Sequence, residues 1–440
     1  MEHLFIELSQ RAFQILKSNE ILTVSLNGEK SNFVRINKSK VRQITSVING
    51  NVSLELILGK HKASREFTFT KDNNLNFKLL KIELEKIRGY IKDLNDDPYI
   101  VNLTKEISSV TKIKGKILKS DEIFDAVLKP LSKIDSSGIY SSGKIFKGIS
   151  NSNNIFHWFE TDNFSFDYSL IGKDEKMVKE TYAGNDWNQN HFNNFIEISK
   201  MKLDSLRYNN VKLKPGKYKT YIAPAGIADI INMFSWGGLS ESSIRQGSSS
   251  FCKMRKEKLK LNHKFNLTED FKLGLAPRFN SYGELSPENT ELISNGILKN
   301  TLISSKSAKE YKINGNKAEI NEALRSPVLN PGELKNEKII QTLRNGIYLS
   351  NLHYLNWSDR SNGRITGMTR YASFFVENGE IKAPVEQMRF DDSFYDFFGA
   401  NLLSLSDENM IIPNVSTYGG RSLGGSKCPG ILIDNFRYTL

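Results

Sequence analysis

At Lys212–Lys219 (KLKPGKYK) the texture of the 440-residue chain changes. Before this short, charged, Pro-Gly segment, helical periodicities alternate with strand-like stretches. From Leu273 onward the pattern is short strands and Gly, Pro and Asn turns, with few helices over roughly 200 residues. The chain is therefore expected to be an α+β protein of two domains. Residues 1–211 would form an N-terminal α/β domain with an antiparallel sheet and helices. Residues 212–440 would form a β-rich C-terminal domain, a sandwich or barrel. A chain this long can bury a sizeable core without disulfide or metal staples.

Within the first half, Leu4, Phe5, Leu8, Phe13 and Leu16 recur at helical spacing and predict an amphipathic opening helix over 3–17. Ile21–Leu26, Asn32–Asn37, Val41–Ser46 and Val52–Leu58 read as strands of a meander, separated by Gly28, the polar NKSK segment and Gly50. Helices are predicted over Asn74–Leu94, Ser120–Leu128 and Asn188–Leu206, with β structure over Ser137–Leu170. In the second half, Ala225–Trp236 reads as an apolar helix stopped by Gly237-Gly238. Asn378-Gly379, between two strand-like runs, is the strongest hairpin signal in the chain.

Composition removes several classes. Two cysteines, Cys252 and Cys428, rule out a disulfide framework, a zinc ribbon and a CxxC redox motif. Six histidines (His3, His61, His157, His191, His263 and His353) lie so far apart that no two share a helical turn, which excludes an HExxH-type metal helix. No apolar run approaches the roughly 20 residues that cross a bilayer, and mean hydropathy is −0.42. The first residues carry no signal-peptide pattern, so a soluble, cytoplasmic protein without membrane contact is expected. Net charge is +12, from 61 Lys and Arg against 49 Asp and Glu. That balance suits nucleic acid or a diffusely basic surface. The lysines are spread, and neither an RNP-like strand nor a helix-turn-helix pattern accompanies them, so the surface reading is preferred.

Four features invite a functional label, and each has a plainer structural reading. TYGGRSLGGS (417–426) contains a formal G-x-S-x-G around Ser422, but no histidine follows it and no strand–helix pair frames it. Its glycines are better read as turn formers. Asn51, Asn102 and Asn356 head glycosylation sequons of the kind an Asn-rich chain produces by chance. The densest polar region runs from Asn356 to Asp392, and within it Arg364, Arg370, Asp391 and Asp392 form a candidate cleft or structural polar cluster. Adjacent strand residues point to opposite faces, which favours an internal ion-pair network over a shared site. Cys428 is a candidate thiol, with the alternative of a small buried hydrophobe.

Several segments, in order along the chain, resemble the TldD/PmbA family, on its PmbA/TldE side. They are NFVRINKSKVRQ, GIYSSGKIFKGISNS with NFSFDYSL, KTYIAPAGIADIINMFSWGG, LAPRFNSYGELSPENTELISNGILKNTLIS and ITGMTRYASFFVENGEIKAPVEQMRFDD. The resemblance implies a two-domain fold and a proteolytic context. Catalytic TldD-type members carry HExxxH on the helix that opens the C-terminal domain. Its two histidines and a downstream cysteine bind zinc, and its glutamate activates water. The matching helix here reads AGIADIINM. Its only polar side chains are Asp229 and Asn232, a remnant of the family's metal helix that cannot replace two imidazoles.

The resemblance thus implies a non-catalytic PmbA/TldE-like subunit of a two-component zinc metallopeptidase acting in peptide proteolysis or maturation. Such a subunit would hold no cofactor itself, the zinc residing in a TldD-like catalytic partner. Its partners would be that subunit and a peptide or unfolded polypeptide, in a homo- or heterodimer, with no nucleic acid. The alternative is a self-sufficient hydrolase whose chemistry has moved to Arg364, Arg370, Asp391 and Asp392 or to Cys428.

Overall fold

The computed structural model describes residues 1–101 and 107–440, so the Asn102 sequon lies outside the described residues. Helix α1 (Glu2–Gln14) buries Phe5, Leu8 and Ala12 and leads into strands β1 (Glu20–Asn37) and β2 (Lys40–Leu58). These two strands are far longer than the sequence pattern indicates, because Gly28 and Gly50 do not break them. The two glycines stand opposite each other in one antiparallel ladder. Gly28 is there for a close approach: a Cβ would lie 2.6 Å from both the Asn49 carbonyl and the Phe146 ring. The turn falls within the NKSK segment, as expected, at Lys38 and Ser39, both with positive φ, as a two-residue hairpin of the primed kind requires.

Strand β3 (His61–Thr68) pairs with β2. Helix α2 (Asn73–Tyr90) follows, capped by Asp72, whose carboxylate accepts from the Asn74 and Leu75 N–H groups at 2.9 and 3.1 Å. Strands β4 (Ser109–Ile113), β5 (Asp135–Asn151), β6 (Ile155–Ile171) and β7 (Met177–Gly184) complete a seven-stranded sheet in the order β3-β2-β1-β5-β6-β4, with β7 also on β6. All its pairings are antiparallel except β4 with β6. Ser120–Leu128 does not form the expected regular helix. It is a turn followed by a wide, π-type turn at Phe124–Leu128. Pro130 explains this, since it has no N–H to donate to the Ala126 carbonyl, which instead accepts from the Gln189 side-chain amide at 2.9 Å. Helix α3 (Gln189–Ser205), capped by Asn188, packs Phe192 and Ile196 into a core shared with Tyr140, Phe166 and Tyr168.

The second half opens with β8 (Gly216–Ile222) and runs at once into α4 (Pro224–Met233), with Pro224 in the first turn, where a missing N–H costs nothing. Two further sheets follow. One holds β9 (Leu267–Asp270), β10 (Asn289–Ser294), β11 (Ile297–Leu298), β12 (Pro327–Leu329), β18 (Met410–Pro413) and β19 (Gly425–Cys428). The other is built from β8, β13 (Gly346–Asp359), β14 (Arg364–Glu377), β15 (Glu380–Pro384), β16 (Arg389–Ser393), β17 (Leu402–Leu405) and β20 (Ile431–Tyr438). Because β13 pairs with β14 as well as with β8, the strands β13, β8, β20, β16 and β14 close into a barrel. Closure removes most of the open edges that such a sheet would present. The Asn378-Gly379 turn joins β14 to β15 with both residues at positive φ, as predicted.

The architecture is α+β, with an antiparallel N-terminal sheet carrying helices and a β-rich second half. The two halves meet directly. His157 on β6 is fully buried, its Nδ1 2.8 Å from the Ser109 hydroxyl and its Nε2 2.9 Å from the Gly283 carbonyl. Phe374 of β14 is buried in the same cluster as α3. Among the described residues no helix is long and apolar enough to cross a membrane.

Candidate functional site

Between the N-terminal sheet and the second half lies a cavity of about 670 Å³. Its floor is the N-terminal sheet, where the absent Gly28 side chain lets the Phe146 ring lie across β1. One wall is α4. The remaining walls are the 319–325 segment and the loop from Ile412 to Ser426.

Helix α4 is amphipathic in an unusual ratio. Ile227, Ile230, Ile231 and Met233 are buried in the main core of the second half. Ala228, Asp229 and Asn232 face the cavity, joined by Ser235 just past the helix end. Positions 229 and 232 share a face because three residues span most of a helical turn. Neither the Asp229 nor the Asn232 side chain makes a hydrogen bond or ion pair among the described residues. Solvent reaches Asp229 inside the cavity, yet protein surrounds that solvent. Burial accordingly pushes the Asp229 carboxyl up to about 6, with Lys179 pulling the other way. Lys179 is itself engaged, donating to Asp167 at 2.5 Å.

The other charged groups on the cavity wall are already partnered. Lys147 of β5 lies 4.0 Å from the Glu319 carboxylate, and burial holds the Lys147 ammonium below its ordinary range. Burial raises the Glu319 carboxyl, but Lys147 and the hydrogen bonds it accepts from Ile320 and Ser281 outweigh this and keep it low. Those bonds come from the N–H groups of Ser281 and Ile320, both at 3.0 Å. The Arg325 guanidinium donates to the Pro277 and Phe279 carbonyls at 3.2 and 2.9 Å and to the Ser286 hydroxyl at 2.6 Å. Arg421 straps the glycine-rich loop to the N-terminal sheet. Its guanidinium donates to the Ser31 hydroxyl at 3.2 Å and to the Asn163 carbonyl at 3.1 Å. Burial lowers it to about 10, against the attraction of Glu29.

The structure does not gather the Arg364, Arg370, Asp391 and Asp392 set into one place, and none of the four lines the cavity. Arg364 and Asp391 face each other across β14 and β16, with Nη2 2.6 Å from Oδ1 in a half-exposed pair. Asp392 points to the opposite face and is buried. It accepts from the Ser393 and Arg437 N–H groups at 2.8 and 3.0 Å, and burial raises its carboxyl. Arg370 bonds His353 and lies 5.1 Å over the Tyr371 ring. Cys428 has no exposed surface, and burial pushes its thiol up to about 12, so it is neither thiolate nor accessible.

The resemblance to zinc peptidases requires a test of whether these residues suit the metal. Among the described residues no three His, Cys, Asp or Glu side chains lie close enough to share an ion. The α4 face offers one carboxylate, one amide and one hydroxyl, and Cys428 is sealed in the core. This donor set does not fit a catalytic zinc, which takes about three nitrogen, sulfur or carboxylate ligands and keeps a position open for water.

Sequence reasoning singled out Asp229 and Asn232, and both lie on the cavity. It did not find Lys147, Glu319 or Arg325, whose only signal is tertiary. It did single out the 417–426 segment, as turn-forming glycines. Gly420, Gly424 and Gly425 do have positive φ, and the loop they shape is also a cavity wall.

Comparison with known proteins places this geometry. The profile of the PmbA/TldA metallopeptidase C-terminal domain matches residues 215–439. Among solved structures, TldE from Thermococcus kodakarensis superposes with a TM-score of 0.79 at 15% identity, over 99% of this chain and 100% of that one. A protein from Thermotoga maritima, described as a proposed modulator of a DNA gyrase, gives 0.74 at 16% identity over 99% and 100% of the two chains. A protein from Bacteroides thetaiotaomicron with a similar description gives 0.75 at 15% identity over 100% and 98%. At such identities these likenesses establish the fold alone. No curated protein matches the chain.

Proposed function

Since the chain belongs to the PmbA/TldD family, we propose that it is the non-catalytic, TldE-like subunit of a two-component zinc metallopeptidase, built as domains 1–211 and 212–440. The observation that carries this reading is α4. The helix on which the family resemblance puts the zinc ligands of catalytic members lines a cavity here, and it presents Asp229 and Asn232 in place of two imidazoles and a glutamate. A subunit of this kind keeps the fold, the cavity and a surface for its partner, and leaves hydrolysis to the partner's metal. Its own residues would receive an unfolded peptide. The Phe146 floor and the Ala276 and Pro277 wall supply apolar surface, and the polar α4 face and the 412–426 loop supply hydrogen-bonding groups.

The test is a cleavage assay on unfolded peptides with this chain alone, a TldD-like chain carrying HExxxH alone, and the two mixed. The reading expects a stable complex, and chelator-sensitive cleavage only when the TldD-like chain is present. Chelator-sensitive cleavage by this chain alone would overturn it. The self-sufficient alternative loses its stated sites, because the four polar residues do not converge and Cys428 is enclosed.

A further inference from the structure

Three features of the molecule carry polar or apolar groups that the fold itself leaves without a use. The edge of β2 beyond its pairing with β3 is open from about Gln43 to Asn49 and carries exposed Ile44 and Ile48, but nothing in the structure shows what covers it. Glu269 is a buried carboxyl with one oxygen unpartnered, but it is enclosed behind Arg325 and Ser326. The α4 face goes further, because its polar groups are both accessible and unsatisfied.

The charges around the cavity are satisfied one by one: Lys147 by Glu319, Arg325 by two carbonyls and a hydroxyl, and Arg421 by Ser31 and Asn163. Asp229 alone has no partner. Three residues further along the same face comes Asn232, and Ser235 follows just past the helix end, so a carboxylate, an amide and a hydroxyl side chain line one space. The donor set fails for zinc, but it suits a ligand that brings hydrogens. A primary ammonium carries a positive charge and three N–H donors, matching one carboxylate, one amide oxygen and one hydroxyl.

We infer that this face of α4 is an ammonium-binding site, at which Asp229, Asn232 and Ser235 receive the primary amine of a bound peptide. The inference rests on the reading of the cavity as a peptide site and specifies which end or side chain of the peptide it recognises. A crowded carboxylate with no ion-pair partner of its own, and only the attraction of a Lys179 already engaged by Asp167, is poorly stabilised, as the raised Asp229 carboxyl indicates. An arriving cation removes that deficit, whereas an acetylated, neutral nitrogen would leave it in place.

The experiment uses calorimetry on the full chain with three unstructured hexapeptides: one lysine-free with a free amino terminus, its N-acetylated form, and an acetylated form with one internal lysine. The free peptide is expected to bind at least about tenfold more tightly than the acetylated lysine-free one. In D229N that preference disappears, whereas in R364A, whose change lies outside the cavity, it persists. Tight binding of the acetylated lysine peptide would assign the ammonium to a side chain, and its loss would assign it to the amino terminus. Equal binding of the free and acetylated lysine-free peptides, with the lysine peptide no tighter, would overturn the ammonium site while leaving the peptide cavity standing. Failure of all three to bind would overturn both. An unchanged melting profile for D229N excludes misfolding as the cause of a lost preference.

Discussion

The ribbon of residues 356–392 and the helix α4 make opposite use of polar side chains. The ribbon is rich in charge, and most of the charged groups that suggested a site are engaged locally. Asp359 caps its own turn through the Asn362 N–H and amide, Arg364 is paired with Asp391, Arg370 bonds His353, and Asp392 is buried under two backbone N–H groups. The helix is nearly all apolar, yet its two polar side chains face a cavity without a protein partner. Charge density therefore marks scaffold here, and unsatisfied polarity marks the site. The physical reason is that a buried or half-buried charge must find a partner during folding, whereas one held over a solvent-filled cavity can wait for a ligand.

That contrast is most sharply broken or upheld at Asp392. Replacing it with Ala strands the Ser393 and Arg437 N–H groups inside the barrel, and D392A is expected to lose about 1–3 kcal/mol of stability. The urea midpoint checks this. An unchanged midpoint would mean the ribbon's charges are not structural. The next largest effect is expected at Glu269, where burial raises the carboxyl to about 7. A carboxyl raised in the folded state binds its proton more tightly than in the unfolded chain. Stability should therefore fall as pH rises from about 4.5 through about 7. Gln keeps an oxygen for the Arg325 and Ser326 N–H groups and carries no charge. E269Q should flatten that fall by on the order of 1 kcal/mol, read from melting curves between pH 5 and 8.

Much of the fold is legible in the sequence, and the exceptions have identifiable causes. The opening helix, the helices around Leu84 and Ile196 and the Asn378-Gly379 hairpin are set by local periodicity and turn chemistry, and they occur close to where the pattern puts them. Gly28 and Gly50 read as breaks, because a glycine that admits a neighbouring aromatic ring looks the same in sequence as one that makes a turn. For Gly28 the difference is the position of Phe146, more than 100 residues away, and for Gly50 it is the approach of Leu26 and Phe69. The site divides in the same way. Asp229 and Asn232 stand out as the only polar side chains in an apolar helix. Lys147, Glu319, Arg325 and Arg421 reach the cavity from four separate segments, and no spacing rule joins them. The adjacent pair Asp391-Asp392 invites a shared role in sequence, and strand geometry divides it between two faces.

The remaining two predictions set the ribbon against the helix at its exposed end. Arg364 and Asp391 are each roughly a quarter to a third exposed, with side-chain exposures of 31% and 23%. Such a pair gains modest Coulomb energy and is screened by salt, so R364A should cost no more than about 1 kcal/mol and less at high salt. Asp229 should behave in the opposite sense. Its carboxyl sits at about 6 against an ordinary value of 3.8, so the folded chain holds the proton longer than the unfolded one. The wild type then loses stability as pH rises from about 4 to about 6, and that loss persists above pH 6, where the group is ionised without a partner. D229N removes the cost, and its melting temperature at pH 7.5 should equal or slightly exceed that of the wild type. The gain stays small because water in the cavity screens the charge. A polar residue whose loss improves the fold is retained for something other than the fold, so a clear drop in melting temperature for D229N would place α4 with the ribbon, as scaffold.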